Sequence, residues 1–199
     1  MNNIIEFKNV SKQYGHTKKI NVLNKINFNF KKGNIYSLVG PSGSGKSTLL
    51  NLLSLIDRPT SGTIRILNNT INYNRSKDND LLRAKKIGII YQENNLLPDF
   101  TALENVYLAR LAISNNKKKA IYDALTIINK LGISKRKNHF SNELSGGEMQ
   151  RFAISRALIN SPEIILADEP TGSLDFKNAK EVFKTLFKLK NVNRLIVFA

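Results

Sequence analysis

The chain has 199 residues, 41% of them hydrophobic, which suits one sizeable core or one domain carrying a subdomain. The absence of cysteine excludes a disulfide framework and a thiolate metal site, and no apolar run approaches the roughly 20 residues a membrane-spanning helix needs. A net charge of +16 raises the question of nucleic acid or an anionic surface as partner. The opening "MNNIIEFKNV" lacks the basic start, long apolar stretch and cleavage site of a secretory signal, so a cytoplasmic protein is the simple reading. "IIEF" and "INFNF" predict N-terminal strands. "GNIYSLVG" predicts a buried strand running into a glycine-rich turn, and "KSTLLNLLSLID" a helix that stops at Pro59. "GTIRIL" and "KKIGIIYQ" predict two more strands.

From Asn94 to Leu158 helical spacing dominates, in "ALENVYLARLAI", "KKKAIYDALTIINKLGI" and "GEMQRFAISRALIN". Strands return with "EIILAD" and the terminal "RLIVFA". Alternating strands and helices with a helical insert predict an α/β parallel-sheet protein carrying a helical subdomain. The expected boundaries are 1–93 and 159–199 for the core and 94–158 for the subdomain. The lysines scatter along the chain, and the tightest clusters, Lys117 to Lys119 and Lys135 to Lys137, have no interleaved aromatics. The charge is therefore assigned to solvated surface, and no nucleic-acid partner is expected.

Three stretches carry chemistry. "GPSGSGKST" comprises Gly40, Pro41, Ser42, Gly43, Ser44, Gly45, Lys46, Ser47 and Thr48 and fits G-x-x-x-x-G-K-[ST] between a strand and a helix. Gly43 and Gly45 let the backbone close around phosphates with its amides pointing inward, and the following helix adds its positive end. Lys46 is expected to reach the β- and γ-phosphates of a nucleotide, and the Ser47 hydroxyl to ligate Mg²⁺. "EIILADEP" is an apolar strand ending in acids: Asp168 is the candidate Mg²⁺ holder and Glu169 the candidate general base. In "LSGGEMQR", Ser145, Gly146 and Gly147 open a helix and offer an anion site. Ser145 with Glu148 also satisfies the capping-box pattern, and both readings can hold together. A second phosphate-binding helix end far from the first loop suggests that two chains share each nucleotide.

Together these motifs resemble the nucleotide-binding subunit of an ABC transporter, over essentially the whole chain. Gly40 to Thr48 resemble the Walker A loop, Ile164 to Glu169 the Walker B strand with its catalytic glutamate, and Leu144 to Glu148 the signature sequence. "SLD" (Ser173 to Asp175) matches the loop that communicates across the dimer, with Asp175 at the nucleotide. Gln92 matches the glutamine that senses the γ-phosphate, helps hold Mg²⁺ and couples to the membrane partner. Tyr14 matches the aromatic that stacks on adenine. The resemblance implies a P-loop NTPase fold: a RecA-like parallel-sheet core, an N-terminal antiparallel β part and an inserted helical subdomain. It implies ATP and Mg²⁺ as cofactors, a head-to-tail homodimer and membrane-spanning transporter subunits as partners. "YQENNLLPDFTALENVYLA" is similar to the corresponding stretch of lipoprotein-releasing transporters, with macrolide exporters and a cell-division complex as related alternatives. The implied place is the cytoplasmic face of a bacterial inner membrane, as a peripheral protein.

In that family the last strand leads to a threonine and a switch histidine, whereas "NRLIVFA" stops at Ala199; His16 and His139 lie elsewhere in the sequence. The expectation is a chain shortened before that histidine, lacking one transition-state donor worth about 3–4 kcal/mol. It would then bind Mg-ATP but turn it over poorly, or be a nucleotide-binding fragment, and Leu195 to Phe198 would present an unprotected apolar edge. A soluble ABC ATPase acting on DNA or ribosomes is a further alternative. Against it, the chain carries neither paired nucleotide domains nor a long coiled-coil insert.

Overall fold

A computed structural model describes residues 2–15, 17–172 and 174–199. Two four-stranded sheets form the frame. The first is antiparallel, in the order β2 (Ile20–Lys31), β1 (Asn3–Tyr14), β4 (Ser61–Ile66), β5 (Asn69–Thr70). The second is parallel, in the order β3 (Ile35–Ser37), β8 (Leu195–Phe198), β7 (Ile164–Ala167), β6 (Ile87–Ile90).

Residue alternation explains the continuous apolar runs of the parallel strands, as expected for strands covered on both faces. Ile164, Leu166, Leu195 and Val197 join the cluster shared with the antiparallel sheet and α1 (Lys46–Leu53), where Phe7, Phe30, Leu52 and Leu53 are buried. Ile165, Ala167 and Ile196 point the other way. There they meet Ile154 and Leu158 of α5 (Gly146–Leu158) and Val182 and Leu186 of α6 (Phe176–Lys188). Each such fully buried aliphatic or aromatic side chain contributes about 1.5–3 kcal/mol.

A third cluster packs α3 (Ala102–Leu111), α4 (Lys117–Lys130) and α5 around Val106, Ala120, Ala124, Ile128 and Phe152. Helix α5 serves both groups: Phe152 faces the helical cluster, while Ile154 and Leu158 face the sheet.

The structure departs from three sequence expectations. Strand β8 is no edge: it lies between β3 and β7, with Leu195, Ile196 and Val197 at most 1% exposed. The crossover through α6 inserts this strand into the middle of the sheet, so its apolar run is covered on both faces and both flanks. Helix α1 ends at Leu53 rather than near Pro59, because Leu55 turns to φ 60° and its carbonyl accepts from the Arg83 guanidinium at 3.0 Å. Strand β6 starts at Ile87; Lys85 and Lys86 close a helix, α2 (Ser76–Lys86), that buries none of its residues.

Candidate functional site

The phosphate loop leaves the carboxyl end of β3, the edge where open α/β sheets place their ligands. Gly43 and Gly45 have φ of 78° and 92°, values that cost other residues strain, and a side chain on Gly45 would also crowd Val22 and Leu23. Helix α1 begins at Lys46 with no side-chain cap and no acid in its first turn. Its free N–H groups and positive end are thus left for an anion. The Lys46 ammonium lies over the loop, donating to Gly40 O and Pro41 O, each at 3.0 Å. It is half-buried and stands where a phosphate oxygen could replace either carbonyl.

Ser47, one residue on, donates from its hydroxyl to Asp168 Oδ1 at 3.3 Å. That contact joins two motifs 121 residues apart. Asp168 follows β7 and its N–H donates to Ile90 O at 2.9 Å, so β6 and β7 end level. Gln92, two residues beyond β6, leaves the same edge, and its side chain stands against the Gly172 turn. A hydroxyl, a carboxylate and an amide oxygen form the hard, all-oxygen donor set Mg²⁺ takes when substrate phosphates supply the rest, so these residues fit the ion. Among the described residues no group of three or more His, Asp and Glu side chains is assembled for a metal, and the site needs none.

Glu169 is exposed and has φ 42°, rare for a non-glycine residue; its N–H donates to Ala199 O at 3.3 Å. A backbone held in the left-handed region next to Asp168 is the kind of local strain that occurs at functional positions. Tyr14 stands at the end of β1, 41% exposed, with its hydroxyl donating to Asp57 Oδ2 at 2.7 Å.

Residues 23–172 match the family described as ABC transporter. The chain belongs to the ABC transporter family. It is 48% identical, over 98% of its length and 87% of the relative's, to the lipoprotein-releasing system ATP-binding protein LolD of Rickettsia bellii. To the LolD protein of Bacteroides thetaiotaomicron it is 41% identical, over 94% and 85%. Among solved structures, the dimeric ATP-binding cassette MJ0796 bound to ADP and Pi superposes with a TM-score of 0.89 at 38% identity, covering 98% of this chain and 87% of that one. The cbiO1 cassette of Clostridium perfringens gives 0.84 at 28% identity, covering 100% and 78%. The fold is thus the α/β P-loop cassette, and the chain is an ABC ATPase that binds ATP and couples its hydrolysis to transport. Among the described residues no helix is long and apolar enough to cross a membrane.

Leu144 to Glu148, the stretch that resembles the ABC signature, lead into α5 at its N-terminus. Ser145 Oγ accepts from Glu148 N at 3.4 Å, and the Glu148 carboxylate accepts from Ser145 N at 2.9 Å. The helix-cap reading therefore holds, and Ser145 and Gly146 remain exposed on the surface beside it. The Ser145 backbone hydrogen bond, with Arg136 alongside at 3.1 Å, holds the Glu148 carboxyl below its usual range. Asp175 caps α6, accepting from Asn178 N at 3.0 Å and from the Asn178 amide at 2.6 Å, so part of its carboxylate is already engaged. Ser173 of "SLD" and His16 lie outside the described residues.

Four residues of this ABC cassette escaped sequence reasoning. Gln150, 1% exposed, donates to Pro170 O at 2.8 Å and ties the signature helix to the segment after Glu169. Arg156 on the same helix donates to Asn95 O at 2.6 Å and Asn94 O at 2.8 Å, gripping the loop that follows Gln92. Lys12 and Asp57 pair at 2.6 Å beneath Tyr14. The usable signal was a polar residue at a core position of an amphipathic element, as with Gln150 between Gly147 and Phe152; the other contacts span too much sequence to read.

Proposed function

We propose that this ABC ATPase energises lipoprotein release from a bacterial inner membrane, lying peripherally on the cytoplasmic face against membrane-spanning subunits. The support is the 41–48% identity to LolD proteins over most of the chain, together with the stretch from Tyr91 to Ala109 just past Gln92.

The triphosphate of ATP lies along Gly40 to Thr48, with the loop amides and the α1 N-terminus donating to it and Lys46 exchanging its carbonyl partners for β- and γ-phosphate oxygens. Ser47, Asp168 and Gln92 would hold Mg²⁺, which when bound would neutralise developing phosphate charge. Glu169 orients the attacking water and accepts its proton, while the γ-phosphoryl group passes to the water oxygen in line with the departing ADP oxygen. Tyr14 stacks on the base. A second copy docks head to tail, so that its Ser145, Gly146 and Gly147 close over the γ-phosphate and Asp175 borders the same pocket.

The Ser47–Asp168 contact at 3.3 Å carries this reading, because it brings the phosphate loop and the acid strand to one point. Its test is ATP affinity with and without Mg²⁺. Ser47→Ala and Asp168→Asn should each remove the Mg²⁺-dependent gain and leave Mg²⁺-free binding alone; a retained gain in both would end the assignment. For the partner, the chain should co-purify with membrane-spanning subunits encoded beside it.

A further inference from the structure

Lys12 is a lysine with 8% of its surface exposed, and neither phosphate nor acid catalysis uses it. Its ammonium donates to Asp57 Oδ1 at 2.6 Å and to Arg58 O at 2.9 Å, and stands 4.7 Å from the centre of the Tyr14 ring. The other Asp57 oxygen accepts the Tyr14 hydroxyl at 2.7 Å, and Arg58 N–H also donates to Asp57 Oδ1, at 2.7 Å. Asp57 follows the turn that ends α1, whose first residues are Lys46 and Ser47. One carboxylate therefore joins the end of β1 to the far end of the phosphate-loop helix.

The geometry points to Lys12 and Asp57 as positioning residues that fix Tyr14 as a one-sided platform for the nucleotide base. The ammonium covers one face of the ring, in the range where a cation is drawn to an aromatic face, and so leaves the opposite face for the base. The hydroxyl–carboxylate bond removes rotation of the phenol. A platform already held in place loses less freedom when the base arrives, which is how pre-organisation raises affinity. Because stacking reads the π-face and not the base edges, the platform takes purines without sharp discrimination among them. The pair burial and charge support this geometry: burial resists ionisation of Asp57, yet hydrogen bonds from Lys12 and Tyr14 hold its carboxyl below the usual range. Desolvation, aided by Asp57, raises the Tyr14 phenol, so it stays a donor at neutral pH.

This inference rests on the reading of Tyr14 as the base platform, and the experiment separates the two. Titration calorimetry of the whole chain measures Mg-ATP and inorganic triphosphate side by side for wild type, Tyr14→Phe, Asp57→Asn, their double variant and Tyr14→Ala. Tyr14→Phe keeps the ring, and at a partly exposed position it should fold. Tyr14→Phe and Asp57→Asn should each weaken ATP binding about three- to tenfold, with triphosphate affinity held within about twofold. The double variant should be no weaker than Asp57→Asn alone, since that change already removes the Tyr14 bond together with the Lys12 pair. Tyr14→Ala should lose about ten- to a hundredfold. Parallel loss for ATP and triphosphate would make the pair a general staple and overturn the assignment. ATP binding unchanged in Asp57→Asn but weakened in Tyr14→Ala would overturn the clamp and keep the platform. Wild-type ATP binding no tighter than triphosphate would overturn both.

Discussion

At the scale of single residues, the proposed site divides into groups placed to bind phosphate and a group placed to react. Lys46 and Ser47 sit on the first turn of α1, while Glu169 hangs from the end of β7 with its backbone in the left-handed region. Replacing Glu169 by Gln keeps size and hydrogen bonding but removes the proton acceptor. ATP binding should therefore persist within about twofold while steady-state hydrolysis falls by about 10²- to 10⁴-fold. Parallel binding and turnover assays on the purified variant check this, and turnover near wild type would move the base elsewhere. Lys46→Ala should do the reverse, losing the ATP affinity itself. The backbone matters as much. Gly45→Ala would put a Cβ 3.1 Å from Val22 Cγ1 and 3.2 Å from Leu23 Cδ2, at a φ of 92°. A cost of about 1–3 kcal/mol in thermal stability is expected, with weakened ATP binding, because loop and core are strained together.

At the scale of elements, helix α5 is the part that links the segment after Glu169 to the helical cluster. At its start Gly147 lies so close to α6 that a Cβ there would fall 2.5 Å from Asn178 Oδ1, and Asn178 is itself held by Asp175. For the Cβ to fit, Asn178 must shift and give up part of its contact with Asp175, so Gly147→Ala should cost about 1–3 kcal/mol in chemical denaturation, set against a helix-propensity gain of about 1 kcal/mol. Helix α3 carries a comparable device in Asn105, 2% exposed. Its amide donates to the carbonyls of Leu97, Phe100 and Thr101 and accepts from Leu97 N. These links show what the sequence could and could not display. Apolar periodicity placed α3, α4, α5 and most strands, and local spacing placed Ser145 and Glu148 in a capping box, because those interactions are written within a few residues. Helix α2 offered no apolar stripe, since it buries nothing. The interior position of β8 was invisible because strand order is set by crossovers and not by composition. The phosphate loop and acid strand were legible as separate patterns. Their meeting at Ser47 and Asp168, and the Gln150, Arg156 and Lys12–Asp57 links, exist only once 20 to 121 residues of chain are folded between partners.

At the scale of the whole molecule, 31 basic residues face 15 acidic ones, so each carboxylate that stays ionised relieves a strong self-repulsion. Several are held ionised by the fold. Glu163 lies between Lys86 at 2.7 Å and Lys32 at 3.3 Å, and the Lys86 hydrogen bond, then that of Lys32, keeps its carboxyl below the usual 4.5. The backbone of Thr101 lowers Glu104, and that of Ser145 lowers Glu148. A carboxyl whose folded pKa is depressed contributes stability in full above its unfolded value and loses it as pH falls through the folded value. Stability should thus hold at neutral pH and decline below about pH 4.5, as protonation removes these pairs and leaves the lysines and arginines uncompensated. Thermal midpoints followed from pH 7 to 3 measure the decline, and in Glu163→Gln the same fall should be shallower, because one contributor is already absent. Added salt should recover part of the loss at low pH by screening the excess positive charge over about 8 Å at 0.15 M ionic strength. At pH 7 the same salt should help less, because the ionised carboxylates already offset part of the positive charge and screening also weakens the paired sites. A midpoint flat down to pH 3 would mean that these carboxylates are no more stabilised in the fold than in the unfolded chain.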